Sequence, residues 1–287
     1  MNNNLLKDLK YKVFQSGNPV FFYIGINVLI FVVLSLLNIP YFLSGNGGGA
    51  YDALVREYAG FPAQLSKMPY RFYTIITYQF FHDGLFHVLF NMLWLYWLGN
   101  IFLDFLKPRQ FHFVYLAGGI AGALFYLLAY NVFPVFAPAL PGSTVIGSSA
   151  AVMAVIIATA TLLPDYSMRL LFFGDVKLKY LALAYIVLDL IGIASKDAGG
   201  SFAHLGGAVM GFAYIKLLKS GNDWSNIFKR KPKLRVVKNE GMKQNSKKQV
   251  DRVNQEEIDR ILDKISKTGY DKLDKQEKET LFKASKN

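Results

Sequence analysis

Five polar residues carry the chemistry that this chain of 287 residues offers at one place: His82, His87, Asn91, Ser149 and His204, each near the start of an apolar run. A serine hydroxyl becomes a useful nucleophile beside a base, and histidine is the usual base. An imidazole N–H, an amide N–H₂ and the free backbone N–H at a helix N-terminus are donors suited to a developing oxyanion. Read singly, Ser149 is an ordinary helix cap or packing residue, and His87 and Asn91 are polar ties between helices. Read together they make an acyl-transfer set. The chain has no cysteine, which excludes disulfides, thiolate metal sites and thiol nucleophiles.

The elements that must position these residues are membrane helices. The composition is 53% hydrophobic and 15% aromatic, with mean hydropathy +0.25, too apolar for an ordinary soluble domain. A bilayer-crossing helix needs about 20 largely apolar residues. Six runs qualify, at 19–39, 84–103, 110–131, 146–163, 180–195 and 202–218. The expected fold is all-α, a polytopic membrane bundle of six transmembrane helices. The first run follows Lys7, Lys10 and Lys12, but it exceeds a signal-peptide core and no small-x-small cleavage site follows, so it is read as a retained helix.

The net charge is +12, and 19 of the 32 Lys and Arg lie after Leu218, as expected for a basic tail on the cytoplasmic side rather than a nucleic-acid face. The N-terminal arm, then Lys107 and Arg109, then Arg169, Lys177 and Lys179 alternate with poorer connections, and 131–145 carries no charge. Both termini are therefore expected in the cytoplasm, with even-numbered spans running from outside to inside. His87, Ser149 and His204 then lie within roughly 3–10 Å of the outer end of the apolar layer. His87 and Asn91 share a helix face. Ala150, Ala154 and Ala158 form one small-residue stripe, while His204, Gly207 and Gly211 share another face. Packing the two together would bring His204 within reach of Ser149. Ser148 is a rival nucleophile by chemistry, but one residue step turns a helical side chain by about 100°, so both serines cannot face His204.

In this order the pieces resemble a rhomboid intramembrane serine protease, of the bacterial six-helix type with a C-terminal cytoplasmic tail. The resemblance rests on His82-Asp-Gly-Leu-Phe-His87-Val-Leu-Phe-Asn91, on Gly147-Ser148-Ser149-Ala150 and on Ala203-His204-Leu-Gly-Gly207-Ala-Val-Met-Gly211, within residues 70–219. It implies Ser149 as the nucleophile, through the pattern G-x-S-x, and His204 as its base. It implies His87, Asn91 and the N–H of Ser149 as the oxyanion hole, with His82, Gly147, Gly207 and Gly211 in support. It implies no catalytic acid, since the family works with a Ser–His dyad, and no metal or organic cofactor. The chain departs from the family pattern at Ala150, where glycine is common, and at Met153, where a tyrosine often stacks on the base. A Trp-Arg pair is also common before the first histidine; the matching place is Tyr73-Thr74, and Tyr70-Arg71 lies earlier. Arg71 is expected either to anchor the interface or to snorkel at the outer headgroups.

Asp189, inside the fifth run, is expected to make a structural hydrogen bond or to touch an aqueous cavity. His112 is read as structural. A short amphipathic helix over 51–58 is expected at the outer surface. The domain reading is 1–220 membrane domain, 221–250 basic flexible linker and 251–287 small helical hairpin. In the linker, the basic run at 229–233 suits anionic headgroups. In the hairpin, Ile258, Ile261, Leu262 and Ile265 recur at helical spacing, Gly269 ends the helix, and Asp274 opens a capping box with Glu277. That core is too small to stand alone, so contact with another protein is expected.

The function expected is an intramembrane serine endopeptidase in the cell membrane, a bacterial inner membrane, cutting membrane-anchored proteins near the outer face. Its partners are transmembrane protein substrates and membrane lipids, with no nucleic acid. The rival is a catalytically inactive relative that binds membrane clients. A transporter or channel would spread polar groups through the full bilayer depth, which this chain does not do.

Overall fold

The computed structural model describes residues 3–46, 48–170, 174–195, 197–228 and 255–285, which fall in two compact units, Met1–Arg230 and Lys231–Asn287. The first unit opens with helices α1 (Asn3–Phe14) and α2 (Pro19–Tyr41). Between them, the Asn18 side chain accepts from Val20 N–H at 2.8 Å and Pro19 occupies the first turn, a helix-starting arrangement. Then come α3 (Gly48–Ala59), strand β1 (Phe61–Pro62) and the short turns α4 (Met68–Arg71) and α5 (Thr74–Thr77). Next are α6 (Leu85–Phe105), α7 (Pro108–Val132), β2 (Thr144–Val145) and α8 (Ser149–Leu162). A hairpin of β3 (Ser167–Leu170) and β4 (Gly174–Lys177) leads to α9 (Leu178–Gly192) and α10 (Ala198–Lys219).

Each of the six apolar runs forms a helix. Those in α2, α6, α7 and α10 are long and apolar enough to cross a membrane. The other two are shorter than expected: α8 has 14 residues and α9 has 15. The start of α8 is delayed because Thr144 and Val145 are extended, paired antiparallel with Pro62 and Phe61. Its end is set by Pro164, which disfavours helical geometry at Leu163.

A helix apolar all round belongs in the middle of a bundle. Every residue of α8 from Ala150 to Ala160 is buried. Close approach comes from glycine. A Cβ on Gly118 or Gly122 of α7 would overlap the Ala154 or Ala150 side chain, and a Cβ on Gly207 or Gly211 of α10 would overlap the Ala150 or Ala154 carbonyl. The alanine stripe therefore meets the glycine stripe of α10, as its spacing predicts, and meets a second one on α7. Outside this centre lie large exposed apolar side chains, among them Leu29, Leu36 and Leu37 on α2 and Leu183, Leu188 and Ile191 on α9. Apolar surface of this extent suits lipid rather than water. The protein is a mostly helical, multi-pass membrane protein.

Inside the bundle, Asn27 donates to Tyr115 Oη at 3.2 Å and to Tyr23 O at 2.7 Å, and Tyr23 Oη lies 3.1 Å from His112 Nδ1. His112 is thus a tie between α2 and α7. At the same end, Asp223 accepts from Arg109 Nη2 (2.8 Å), Tyr214 Oη (3.0 Å) and Ser225 Oγ (2.6 Å). Burial alone would raise the Asp223 carboxyl, but the hydrogen bonds from Ser225, Tyr214 and Arg109 outweigh it and hold the group below the usual carboxylate range. The first residues of the expected linker are therefore clamped to α7 and α10, whereas 229–254, with its basic run, lies outside the described residues.

In the second unit, α11 (Gln255–Thr268) ends at Gly269, whose φ of 86° favours glycine and whose N–H donates to Ile265 O at 2.9 Å. Asp274 and Glu277 form the reciprocal capping box that starts α12 (Lys275–Ala284). Lys264 pairs with Glu277 at 2.8 Å across the two helices, and Ile261 and Leu273 are buried.

Candidate active site

The site is built around the turn that delivers the chain into α8. Gly147 has φ 126°, a conformation in which a side chain is strained. A Cβ there would also sit 2.9 Å from His87 Cε1 and Nε2, and 3.5 Å from Ser149 Oγ. The imidazole and the hydroxyl thus flank one point that only a glycine leaves open. The turn is pinned from behind: Gly147 N–H donates to Tyr78 O at 3.1 Å, and the buried Tyr78 hydroxyl donates to Gly119 O at 2.6 Å.

The adjacent serines take different environments. Ser148 is fully buried, with its Oγ 3.0 Å from His82 Nε2 and its N–H donating to the same nitrogen at 3.4 Å. Burial, with the His87 ring beside it, pushes the His82 imidazole down to about 3. His82 is therefore neutral, with Nε2 as the acceptor. Its ring also meets His87 edge-on, with centroids 5.0 Å apart. Ser149 instead lines a cavity of about 1060 Å³ together with His87, Asn91, Met153 and His204. Asn91 donates one amide N–H to His87 O at 2.8 Å, and the amide carries a second. The backbone N–H of Ser149 lies in the first turn of α8, where no intrahelical acceptor is available. Arg56 and Asp83, paired at 2.6 Å and about two-fifths exposed, line the same cavity.

His204 lies one turn before Gly207, and Gly207 abuts the Ala150 carbonyl, so one close helix contact sets the approach of His204 to the start of α8. The resemblance implied a base without an acidic partner. The structure differs: His204 Nδ1 is 2.7 Å from Asp189 Oδ1, and Asp189 is only 9% exposed. The structural hydrogen bond expected of Asp189 is thus made to the candidate base itself.

Arg71 corrects the snorkelling reading. It is buried, and its guanidinium reaches Glu57 Oε1 (3.0 Å), Arg56 O (3.0 Å) and Gly60 O (2.7 Å), tying off the C-terminal end of α3. Headgroup-facing arginine and carbonyl-capping arginine look alike in sequence. Tyr78 and the pair Gly118 and Gly122 were not singled out from sequence; the glycine spacing was a readable small-xxx-small signal, whereas nothing marks Tyr78.

Residues 69–221 match the Rhomboid domain family, and residues 239–287 match a family of unknown function, DUF6576. The chain is also 31% identical over 160 residues to RHOMBOID-like protein 12, mitochondrial, of Arabidopsis thaliana. That similarity covers 52% of this chain and 47% of the plant protein, so the chain spans about half the length of that relative. The domain match takes in more than half of the chain, including Ser149, His204, His87 and Asn91, and the protein belongs to the rhomboid family.

Proposed function

We propose that the protein is an intramembrane serine endopeptidase that cleaves membrane-anchored proteins near the outer membrane face. The carrying observation is that Ser149, His204, His87 and Asn91, drawn from α6, α8 and α10, all line one cavity. In this reading Ser149 Oγ attacks the scissile carbonyl carbon while its proton passes to His204. The negative charge formed on the carbonyl oxygen is met by the Ser149 N–H, the His87 ring and the free N–H of Asn91. His204 then protonates the leaving amine as the C–N bond breaks, and water, deprotonated by the same imidazole, hydrolyses the acyl-enzyme.

All six apolar helices then cross the membrane with both termini in the cytoplasm, an orientation that the Lys and Arg distribution supports. At 14 residues, α8 spans about 21 Å of a hydrocarbon core of about 30 Å, so Ser149 lies recessed below the surface where the cavity must supply water. A substrate helix has its carbonyls engaged in backbone bonds, so segments with helix-breaking residues are the preferred substrates. The segment 229–238 is assigned to anionic headgroups, and the second unit to contact with another protein.

The test is incubation of the purified protein with a panel of single-span substrates. Ser149→Ala lowers cleavage by at least about 1,000-fold and abolishes fluorophosphonate labelling while thermal stability stays near wild type. Cleavage or labelling equal to wild type in that variant overturns the proposal, and a wild-type protein that binds clients without cutting or labelling is the inactive relative instead.

A further inference from the structure

We infer that Asp189 is a positioning residue for the base, completing a serine–histidine–carboxylate relay that runs across α8, α10 and α9. The inference rests on the protease reading of Ser149 and adds a third group to it. Asp189 is an ionisable residue in an otherwise apolar stretch of α9, and such a residue is costly to bury unless it is paired or used. Among the described residues no Lys or Arg meets it, and its Oδ2 has no hydrogen-bond partner. Its one described bond goes to His204 Nδ1, at 2.7 Å, a length typical of charge-assisted bonds.

The pairing is built into the packing of two helices. Gly192 lies one turn after Asp189, and Ser201 lies one turn before His204. A Cβ on Gly192 would overlap Ser201 Oγ, so α9 and α10, which run in opposite directions, touch closely just there. That register sets the carboxylate opposite the imidazole one turn further on. Met153, which lines the same cavity, is buried and offers only a thioether, a weak acceptor. Asp189 is thus the strong acceptor among the described residues that fixes the rotation of the His204 ring.

The chemical consequence follows from the tautomer. With Nδ1–H donated to the carboxylate, the lone pair of His204 is on Nε2, the nitrogen left to take the Ser149 proton. As the Ser149 O–H bond breaks and the Oγ–C bond forms, the proton moves to Nε2 and the ring becomes an imidazolium. The Asp189 carboxyl group lies against that cation. When the C–N bond breaks, the same proton goes from Nε2 to the amine; water then attacks the acyl carbon as its proton passes to Nε2, and that proton goes to Ser149 Oγ as the acyl C–O bond breaks.

The test uses the full chain in detergent micelles, with a single-span substrate that Ser149 cleaves. Asp189→Asn should lower kcat by about 100-fold or more while KM stays within about twofold and the thermal midpoint is unchanged, because the amide favours the wrong ring tautomer. Asp189→Glu, which keeps the acceptor, should recover part of the rate. A kcat within about threefold of wild type in Asp189→Asn overturns the inference. Should that variant fail to fold, nitrogen-15 spectra of histidine-labelled wild-type protein, assigned with His204→Gln, decide it: His204 protonated at Nδ1 when neutral supports the relay, and protonation at Nε2 overturns it. Cleavage that persists in Ser149→Ala removes the protease reading, whereas Ser149-dependent cleavage indifferent to Asp189→Asn removes only the role of Asp189.

Discussion

Ser148 and Ser149 are chemically identical, and at the scale of single residues what separates them is the company each keeps. Ser148 is held by a neutral His82 inside the protein, while Ser149 opens onto the cavity beside His87. The glycine before them makes this possible. Gly147→Ala adds a methyl group at φ 126° and 2.9 Å from the His87 ring. The strain is on the order of 1–3 kcal/mol, and the ring or the turn must move. Cleavage in this variant is expected to fall at least about 100-fold, with fluorophosphonate labelling of Ser149 reduced in step; wild-type labelling would show that the turn does not position the nucleophile. For the oxyanion donors, His87→Ala and Asn91→Ala should each lower kcat by about 10²–10³-fold and leave KM nearly unchanged. A rise in KM alone would assign those residues to substrate binding instead.

Among the elements, the short buried α8 is held between α7 and α10 by glycines on both sides. Gly207→Val would drive a branched side chain into the Ala150 carbonyl and part α8 from α10. The expected result is loss of cleavage together with destabilisation of about 1–3 kcal/mol in a thermal or denaturant melt. Leu188→Val on the exposed face of α9 serves as the control, with little effect on either measure. Arg71 acts on another element, gathering the carbonyls of Arg56 and Gly60 and the Glu57 carboxylate at the end of α3. Arg71→Lys should recover only part of the stability lost in Arg71→Ala, because an ammonium cannot serve three acceptors with the geometry of a guanidinium. Equal melting of Lys and wild type would show that charge alone suffices.

For the molecule as a whole, the clamp at Asp223 ties the chain beyond α10 back onto α7 and α10. Hydrogen bonding holds its carboxyl below the usual range against the opposing effect of burial, so its folded-state pKa is lower than its unfolded one, about 3.9. Such a group contributes stability that is fully present above about pH 5 and is lost as pH falls through the depressed folded value. Asp223→Asn should therefore melt lower than wild type at pH 7, with the gap closing as pH falls below about 4. A gap independent of pH would show that the carboxylate charge is not what holds the segment.

Much of this was legible in the sequence. The apolar runs, the small-residue stripes and the polar residues near their starts follow from composition and helical spacing, which are local properties. Six helices, the capping box of the second unit and the shared face of Ala150 and Ala154 were all legible in this way. Contacts between distant segments that no repeated spacing marks were not legible. Asp189 stood out as a carboxylate in an apolar run, but its bond to His204, 15 residues away on another helix, depends on the register of α9 against α10, and that register is set by Gly192 meeting Ser201. Likewise Arg71 became a cap rather than a surface anchor only because α3 folds back over it. Residue types and their spacing determined which chemistry was available, on which helices, and that the small-residue faces of α8 and α10 meet; the register of the packed helices decided which polar groups touch, since a side chain reaches only a few ångströms and its partner lies on another helix.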